Sequence, residues 1–313
     1  MIMKRFRTFV LLVLFFFILI SFFFYQTRRN DGLQNSVSDS FSILPSISKK
    51  VEIILTGDIM IGRSVLINAL DKENNPNYPF LYVFDYLSSA DLVFANLESP
   101  IVTDCPRFEH GFTFCTDSKM IEGLVFSNVN VVSLANNHIL NFGKKGLDET
   151  KRYLDSSNIL YTGVDNLAIK EIKGTTFGFL GFDFTINVPT SKDWDLIKES
   201  DSKVDVLIIG VHWGEEYKEK ANNNQRIWAK KMVENGADVI SGHHPHWVED
   251  SEYIEGKPVY YSLGNFVFDQ MWSEETKKSL LVKLMFEDGK IVGEEFKNTY
   301  IEESIGQPKI VTE

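Results

Sequence analysis

Four of the chain's six histidines fall in two short segments, His212 in VHWG and His243, His244 and His246 in SGHHPHW. Neutral imidazole is the commonest protein ligand for zinc and a good one for iron, copper and manganese. Other residues of ligand type close apolar runs elsewhere: Asp58 after VEIILTG, Asn96 and Glu98 in DLVFANLE, and Asn136, Asn137 and His138 after VNVVSLA. Carboxylates, amides and imidazoles together form a mixed oxygen and nitrogen set. Such a set suits Mn, Fe or Zn better than Ca or Mg, which prefer oxygen alone. A metal there would lower the pKa of a bound water and polarise a phosphoryl or carbonyl oxygen. His138 would then serve as general acid for the leaving group. In an extended segment His244 and His246 face one side and His243 the other. That selects His244 and His246 as ligands and leaves His243 a supporting role. Asn137 and His138 are adjacent and should diverge, one toward the metal and the other toward substrate. Arg63 is the local candidate for gripping an anionic group, and Asn96 and Asn265 are further candidates for substrate contact. A plain turn after a strand accounts for Asn265 equally well. Glu215 and Glu216 read as the solvated start of a helix.

What must position these residues is a set of strands. The runs VEIILT, DLVFA, VNVVSLA, VDVLIIG and ADVIS are continuous in apolar residues rather than alternating, the pattern of strands buried on both faces. Each ends in Asp, Asn, Glu or His. One such end is ordinary turn chemistry; five together point to one site at the strand ends, where open α/β sheets place ligands. Helical segments lie between the strands. One begins near Gly143 (KKGLDETKRYLDSS), and another is NNNQRIWAKKMVENGA, with Ile227, Met232 and Val233 among its apolar positions and Gly236 as a stop. The fold class is α/β with layered sheets. Near the C-terminus KPVYYSLGNF, SLLVKLMFED and KIVGEEF follow one another closely, as antiparallel strands do, with Asp288-Gly289 as a turn pair.

The N-terminus is of another kind. Residues 9–25, FVLLVLFFFILISFFFY, are flanked by Lys4, Arg5 and Arg7 before and by Arg28 and Arg29 after. The run is near the short end of the roughly 17–25 residues that span a bilayer, and too bulky at its end for a signal-peptide cleavage site. Residues 1–8 are thus expected in the cytoplasm, 9–25 as a transmembrane anchor, 26–50 as a flexible linker and 51–300 as a domain outside the membrane, with 301–313 as a tail. With 43 acidic against 32 basic residues the chain carries a net charge of −11, which excludes nucleic acid as an expected partner. Cys105 and Cys115 share one polar segment. Outside the membrane they are expected to form a disulfide, two free thiols being the alternative.

Six segments carry a family resemblance: GDIMIGR (57–63), FANLESPI (94–101), SLANNHILNFGKKGLDET (133–150), VHWGEEY (211–217), SGHHPHWVE (241–249) and VYYSLGNFVFDQ (259–270). In this order they resemble the CapA-type poly-γ-glutamate capsule-synthesis proteins, which belong to the calcineurin-like metallophosphoesterase superfamily. The resemblance implies an α-β-β-α sandwich behind the anchor and one or two divalent transition-metal ions (Mn, Fe or Zn). It implies that Asp58 stands for the first motif aspartate and that Glu98 lies where the bridging carboxylate belongs. Asn137 and His138 match the Asn-His pair, with His138 the catalytic acid, while His212, His244 and His246 match the remaining metal histidines. Two departures weaken the first metal position. Met60 stands where active phosphoesterases carry a histidine, and the carboxylate motif is Asn-Leu-Glu rather than Gly-Asp. Asn141 occupies a place where the family commonly has Asp. The implied function is a membrane-anchored component of poly-γ-glutamate synthesis or export, with an anionic polymer or phosphoester as substrate and other capsule-synthesis membrane proteins as partners. A metal-dependent envelope hydrolase and a non-catalytic scaffold are the alternatives.

Overall fold

The computed structural model describes residues 50–164, 166–302 and 306–311, together with Tyr25. The expected cytoplasmic segment, anchor and linker therefore lie outside the described residues, save Tyr25 and Lys50. Among the described residues no helix is long and apolar enough to cross a membrane.

In chain order the strands are β1 (Val51–Ile59), β2 (Leu92–Leu97), β3 (Ile101–Val102), β4 (Thr116–Asp117), β5 (Val129–Ser133), β6 (Leu160–Thr162), β7 (Ala168–Ile172), β8 (Thr175–Asp183), β9 (Val206–His212) and β10 (Val239–His243). There follow β11 (Ser251–Ile254), β12 (Lys257–Tyr260), β13 (Asn265–Val267), β14 (Lys278–Glu287), β15 (Lys290–Ile301) and β16 (Pro308–Ile310). The helices are α1 (Arg63–Leu66), α2 (Phe84–Leu87), α3 (Ile121–Phe126), α4 (Gly143–Ser156), α5 (Ser191–Asp201) and α6 (Asn223–Glu234). One sheet runs β16-β15-β14-β1-β2-β5-β6, with β13 alongside β1, and a second runs β11-β12-β10-β9-β8-β7.

Three apolar clusters explain the unbroken Val/Ile/Leu runs. In β1, Val51, Ile53 and Leu55 point into a core shared with Phe177, Phe179, Val206, Ile208 and Val239 of the second sheet. Ile54 and Ile59 point the other way, into a core with Leu66, Leu124 and Leu154 from the helical layer. The outer face of the second sheet, through Leu207, Ile209 and Ile240, is covered by Ile197 of α5 and Met232 and Val233 of α6. The molecule is a two-sheet sandwich with helices on both outer faces, each central strand buried twice.

Local chemistry sets the boundaries. Asn222 and Gln225 close a reciprocal capping box at the start of α6. Its buried residues are Gln225, Ala229, Met232 and Val233, whereas Ile227, expected on the apolar face, is 54% exposed. Asp288 and Gly289 both have positive φ, as a two-residue turn between β14 and β15 requires. The expected antiparallel C-terminal part is split: β14, β15 and β16 are antiparallel neighbours, but β12 runs parallel to β10. Residues 308–310, expected within a tail, form the edge strand β16, which pairs with β15 through Thr299, Tyr300 and Ile301.

Candidate metal centre

Strand register brings the polar ends together. Asp58 of β1 lies beside Asn96 of β2 and Asn265 of β13, and His212 of β9 lies beside His243 of β10 and Asp183 of β8. Close approach needs a residue without a side chain at Gly57, where a Cβ would sit 2.1 Å from the Gly264 carbonyl oxygen that accepts the Asp58 N–H. The two sheets thereby bury Asp58, Glu98 and His212 with their ligand atoms all within 4.8 Å of one another. Asn137 is placed against this group, its Oδ1 3.1 Å from His212 Nε2. The His244 ring lies 4.9 Å from that of His212 and 6.1 Å from that of His246, centre to centre.

The segment after β10 is not extended. His244 and His246 both have positive φ, 98° and 61°, conformations rarely adopted by bulky residues. The two rings converge because the backbone turns, not because alternate residues share a face. His243, expected on the opposite side, packs against Asp58, with Nδ1 3.0 Å from Oδ1. The contact is too poorly aligned to count as a hydrogen bond, and His243 Nδ1 has no such partner.

Burial decides the protonation states. Burial by itself would raise the Asp58 carboxyl. The neighbouring His243 and His246 side chains and the Asn96 N–H outweigh it and hold Asp58 below the usual carboxylate range. Glu98 goes the other way, pushed well up by burial and then by the negative charge of Asp58. Burial, followed by the neighbouring histidines, pulls His212 well below the ordinary imidazole value. His138, His244 and His246 are lowered too, each chiefly by burial.

The buried Asp58, Glu98 and His212 could hold a metal ion. Among the described residues Glu98 Oε1 and His244 Nδ1 are buried with no hydrogen-bond partner, and a buried carboxylate oxygen left unpaired is costly unless a cation meets it. Carboxylate, amide and neutral imidazole form a donor set that a metal ion can accept. Met60 contributes nothing to it: its side chain is fully buried in the helical-side core, with Sδ 3.2 Å from the Gly62 N–H.

His138 is held as an acid–base group would be. Asn141 Oδ1 accepts the Phe114 N–H at 2.6 Å and lies 3.1 Å from His138 Nδ1. Because that oxygen is committed as acceptor, Nδ1 carries the proton and Nε2 is left to face Glu98, 3.9 Å from Oε1. The ring stacks on Phe114 at 3.9 Å. The role of Asn141, open in the sequence, is thus to orient His138.

The three residues expected to touch substrate each have partners within the protein. The Arg63 guanidinium forms an ion pair with Asp269, donates to the Gly111 carbonyl and lies over the Phe114 ring. Asn265 is fully buried; its Oδ1 lies 2.9 Å from His246 Nδ1, and its Nδ2 donates to Gln270 Oε1 and the Thr276 carbonyl. Those two acceptors fix the amide so that its oxygen faces His246. Asn96 is also fully buried and donates to Asp58 and Glu98. Glu216, read as the start of a helix, is in an irregular segment; its charge raises Glu98 and supports the protonated forms of His138, His244 and His246. Beside it Tyr217 stacks on His246 and meets Trp272 edge-on.

Two outer supports complete the site. Cys105 and Cys115 are joined in a disulfide, closing the loop that carries Gly111 and Phe114. Replacing both by Ser should lower stability by about 3 kcal/mol, the chain-entropy expectation for a loop this short; an unchanged urea midpoint would refute it. Behind the histidine turn, Glu249 accepts from Gln225 Nε2 at 2.7 Å, and burial pushes its carboxyl up to about 7.

Comparisons with known proteins agree with this architecture. The chain is 30% identical to the "Capsule biosynthesis protein CapA" of Bacillus anthracis, over 85% of this chain and 70% of that protein. It is 32% identical to the "PGA biosynthesis protein CapA" of Bacillus subtilis (strain 168), over 72% of this chain and 65% of that protein. A hypothetical protein from Thermus thermophilus shares the fold, with TM-score 0.54 and 16% identity, over 79% of this chain and 98% of the other. The family described as "Bacterial capsule synthesis protein PGA_cap" matches residues 52–270. The chain belongs to this family of bacterial capsule synthesis proteins.

Proposed function

We propose that this protein is a membrane-anchored, extracytoplasmic component of poly-γ-glutamate synthesis or export whose domain carries a metallophosphoesterase-like site. The polymer role is supported by the family and its Bacillus relatives, and the anchor by the apolar run at residues 9–25. The observation that carries the site's chemistry is the buried group Asp58, Glu98 and His212 with His138 Nε2 facing it. Asp58, Glu98, His212, Asn137, His244 and His246 would hold a divalent Mn, Fe or Zn ion. When bound, such an ion supplies an acidified water and polarises a phosphoryl oxygen. His138, held by Asn141 with a proton on Nδ1, presents a bare Nε2 toward the site, and acts as general acid only after taking up a proton there, which it then passes to the leaving oxygen. Asn265 presents His246, and the Phe114 ring excludes water from one face of His138.

The full chain reconstituted with Mn²⁺ should hydrolyse bis(p-nitrophenyl) phosphate, and His138→Ala should lower kcat by about 10² to 10⁴-fold. Unchanged turnover in that variant would remove the general-acid role. A scaffold reading is favoured by one observation, the engagement of Arg63 with Asp269, which leaves the site without that cation for an anionic substrate. Complementation separates the two: if His138→Ala restores polymer to a strain lacking this chain, the scaffold reading holds and hydrolysis is not the cellular role.

A further inference from the structure

Among the described residues Asn96 occupies a central place. Its Nδ2 lies 2.9 Å from Asp58 Oδ1, 3.3 Å from Glu98 Oε2 and 3.4 Å from His212 Nδ1, so one amide reaches all three members of the ligand group. Its orientation is enforced. Asn136 Nδ2 donates to Asn96 Oδ1 at 3.1 Å and to the Leu97 carbonyl at 2.9 Å, while Asn136 Oδ1 accepts the His138 N–H at 3.2 Å. A flipped Asn96 would turn its oxygen toward two carboxylates and its N–H groups toward another donor.

The consequence is an uneven division of negative charge. Asp58 already meets the Asn96 amide, His243 and the His244 backbone N–H. Among the described residues Glu98 accepts a side-chain hydrogen bond from the Asn96 amide alone, on Oε2, and its Oε1 accepts none, with His138 Nε2 3.9 Å away. Among the described residues one compact group of ligand-type side chains is present, and a fixed N–H donor faces into it. An oxygen committed to an N–H is a poor ligand for a cation on that same side, and the N–H dipole repels the cation directly.

We propose that Asn96 limits this centre to one divalent cation, by filling as an N–H donor the side of Asp58, Glu98 and His212 that a second cation would have to share. The inference rests on the metal-binding reading and goes beyond it in assigning the ion count to one residue. Asn96→Asp replaces the donor by an acceptor with charge and opens that side to a second ion.

The test uses the full chain purified with Mn²⁺ present throughout, so that Asn96→Asp never carries three clustered carboxylates without a cation. Metal content after desalting is measured by plasma mass spectrometry, and coupling between ions by EPR. The wild-type chain should hold one Mn²⁺ with an uncoupled spectrum. Asn96→Asp should hold two with a spin-coupled spectrum, and its unfolding temperature should fall more on chelation than that of the wild type. Two ions in the wild type would overturn the inference while leaving the metal-binding reading intact, as would one uncoupled ion in Asn96→Asp. No Mn²⁺ in either chain would overturn the metal-binding reading and the inference with it.

Discussion

Glu98→Gln should make the metal-free protein more stable while destroying its hold on metal. Glu98 is fully buried, sits beside the Asp58 carboxylate and has one oxygen without a partner. Glutamine has the same shape and is neutral without having to hold a proton above the ordinary carboxyl range. Removing such a group is worth about 1–3 kcal/mol, or a few degrees in unfolding temperature for a domain of this size. The pH dependence gives a second signature. Because the folded-state pKa of Glu98 is raised, the folded chain keeps a proton that the unfolded chain releases above its ordinary value of 4.5. Stability from this group is therefore lost as pH rises from that value toward the folded pKa, and Glu98→Gln abolishes the loss. Metal affinity should fall by more than the 10- to 100-fold typical of losing an outer partner. Calorimetric unfolding in EDTA and Mn²⁺ titration measure both effects. If the variant is less stable than the wild type in EDTA, Glu98 is not a strained group in the metal-free fold.

A sharp loss of stability on mild acidification is the second large effect expected. His138, His212, His244 and His246 are all held below the ordinary imidazole value, first by burial. Their folded forms stay neutral while the unfolded chain takes up protons below about pH 6.5. The unfolded state then binds more protons, so stability falls as pH drops through that point, each histidine contributing up to about 1.4 kcal/mol per pH unit. Glu98 and Glu249, both raised by burial, act in the opposite sense, but they are two groups against four. The unfolding temperature in EDTA should therefore drop steeply between pH 7 and pH 5, and replacing His244 and His246 by Asn should flatten the profile. A profile as steep in that double variant would show that the acid sensitivity lies elsewhere.

Much of the architecture was legible because burial on both faces leaves a plain trace. The runs at β1, β2, β5, β9 and β10 have no polar alternation, and the first polar residue after each marks where the strand leaves the core. The disulfide and the Gly236 stop after α6 were likewise local patterns. What local pattern could not carry was backbone sign and long-range pairing. Nothing in HHPH announces that His244 and His246 take positive φ, so their convergence was expected from an extended geometry that the chain does not adopt. The partner of Arg63 is Asp269, 206 residues away, and Asn96 reaches His212 across 116. Their burial within the centre follows from register between strands, which no single segment encodes. Asn141 did leave a signal, an amide three residues after His138, the spacing that lets one turn of chain return to a ring nitrogen.

Gln225 belongs at once to the start of α6 and to the support of the histidine turn: its Oε1 takes the Asn222 N–H while its Nε2 donates to Glu249. One side chain thus ties two free energies together. Fraying the first helical turn releases Glu249, and any rearrangement of the turn that draws Glu249 away uncaps the helix. The cap works as a latch between a surface helix and the buried centre, so the cost of loosening either is charged to both.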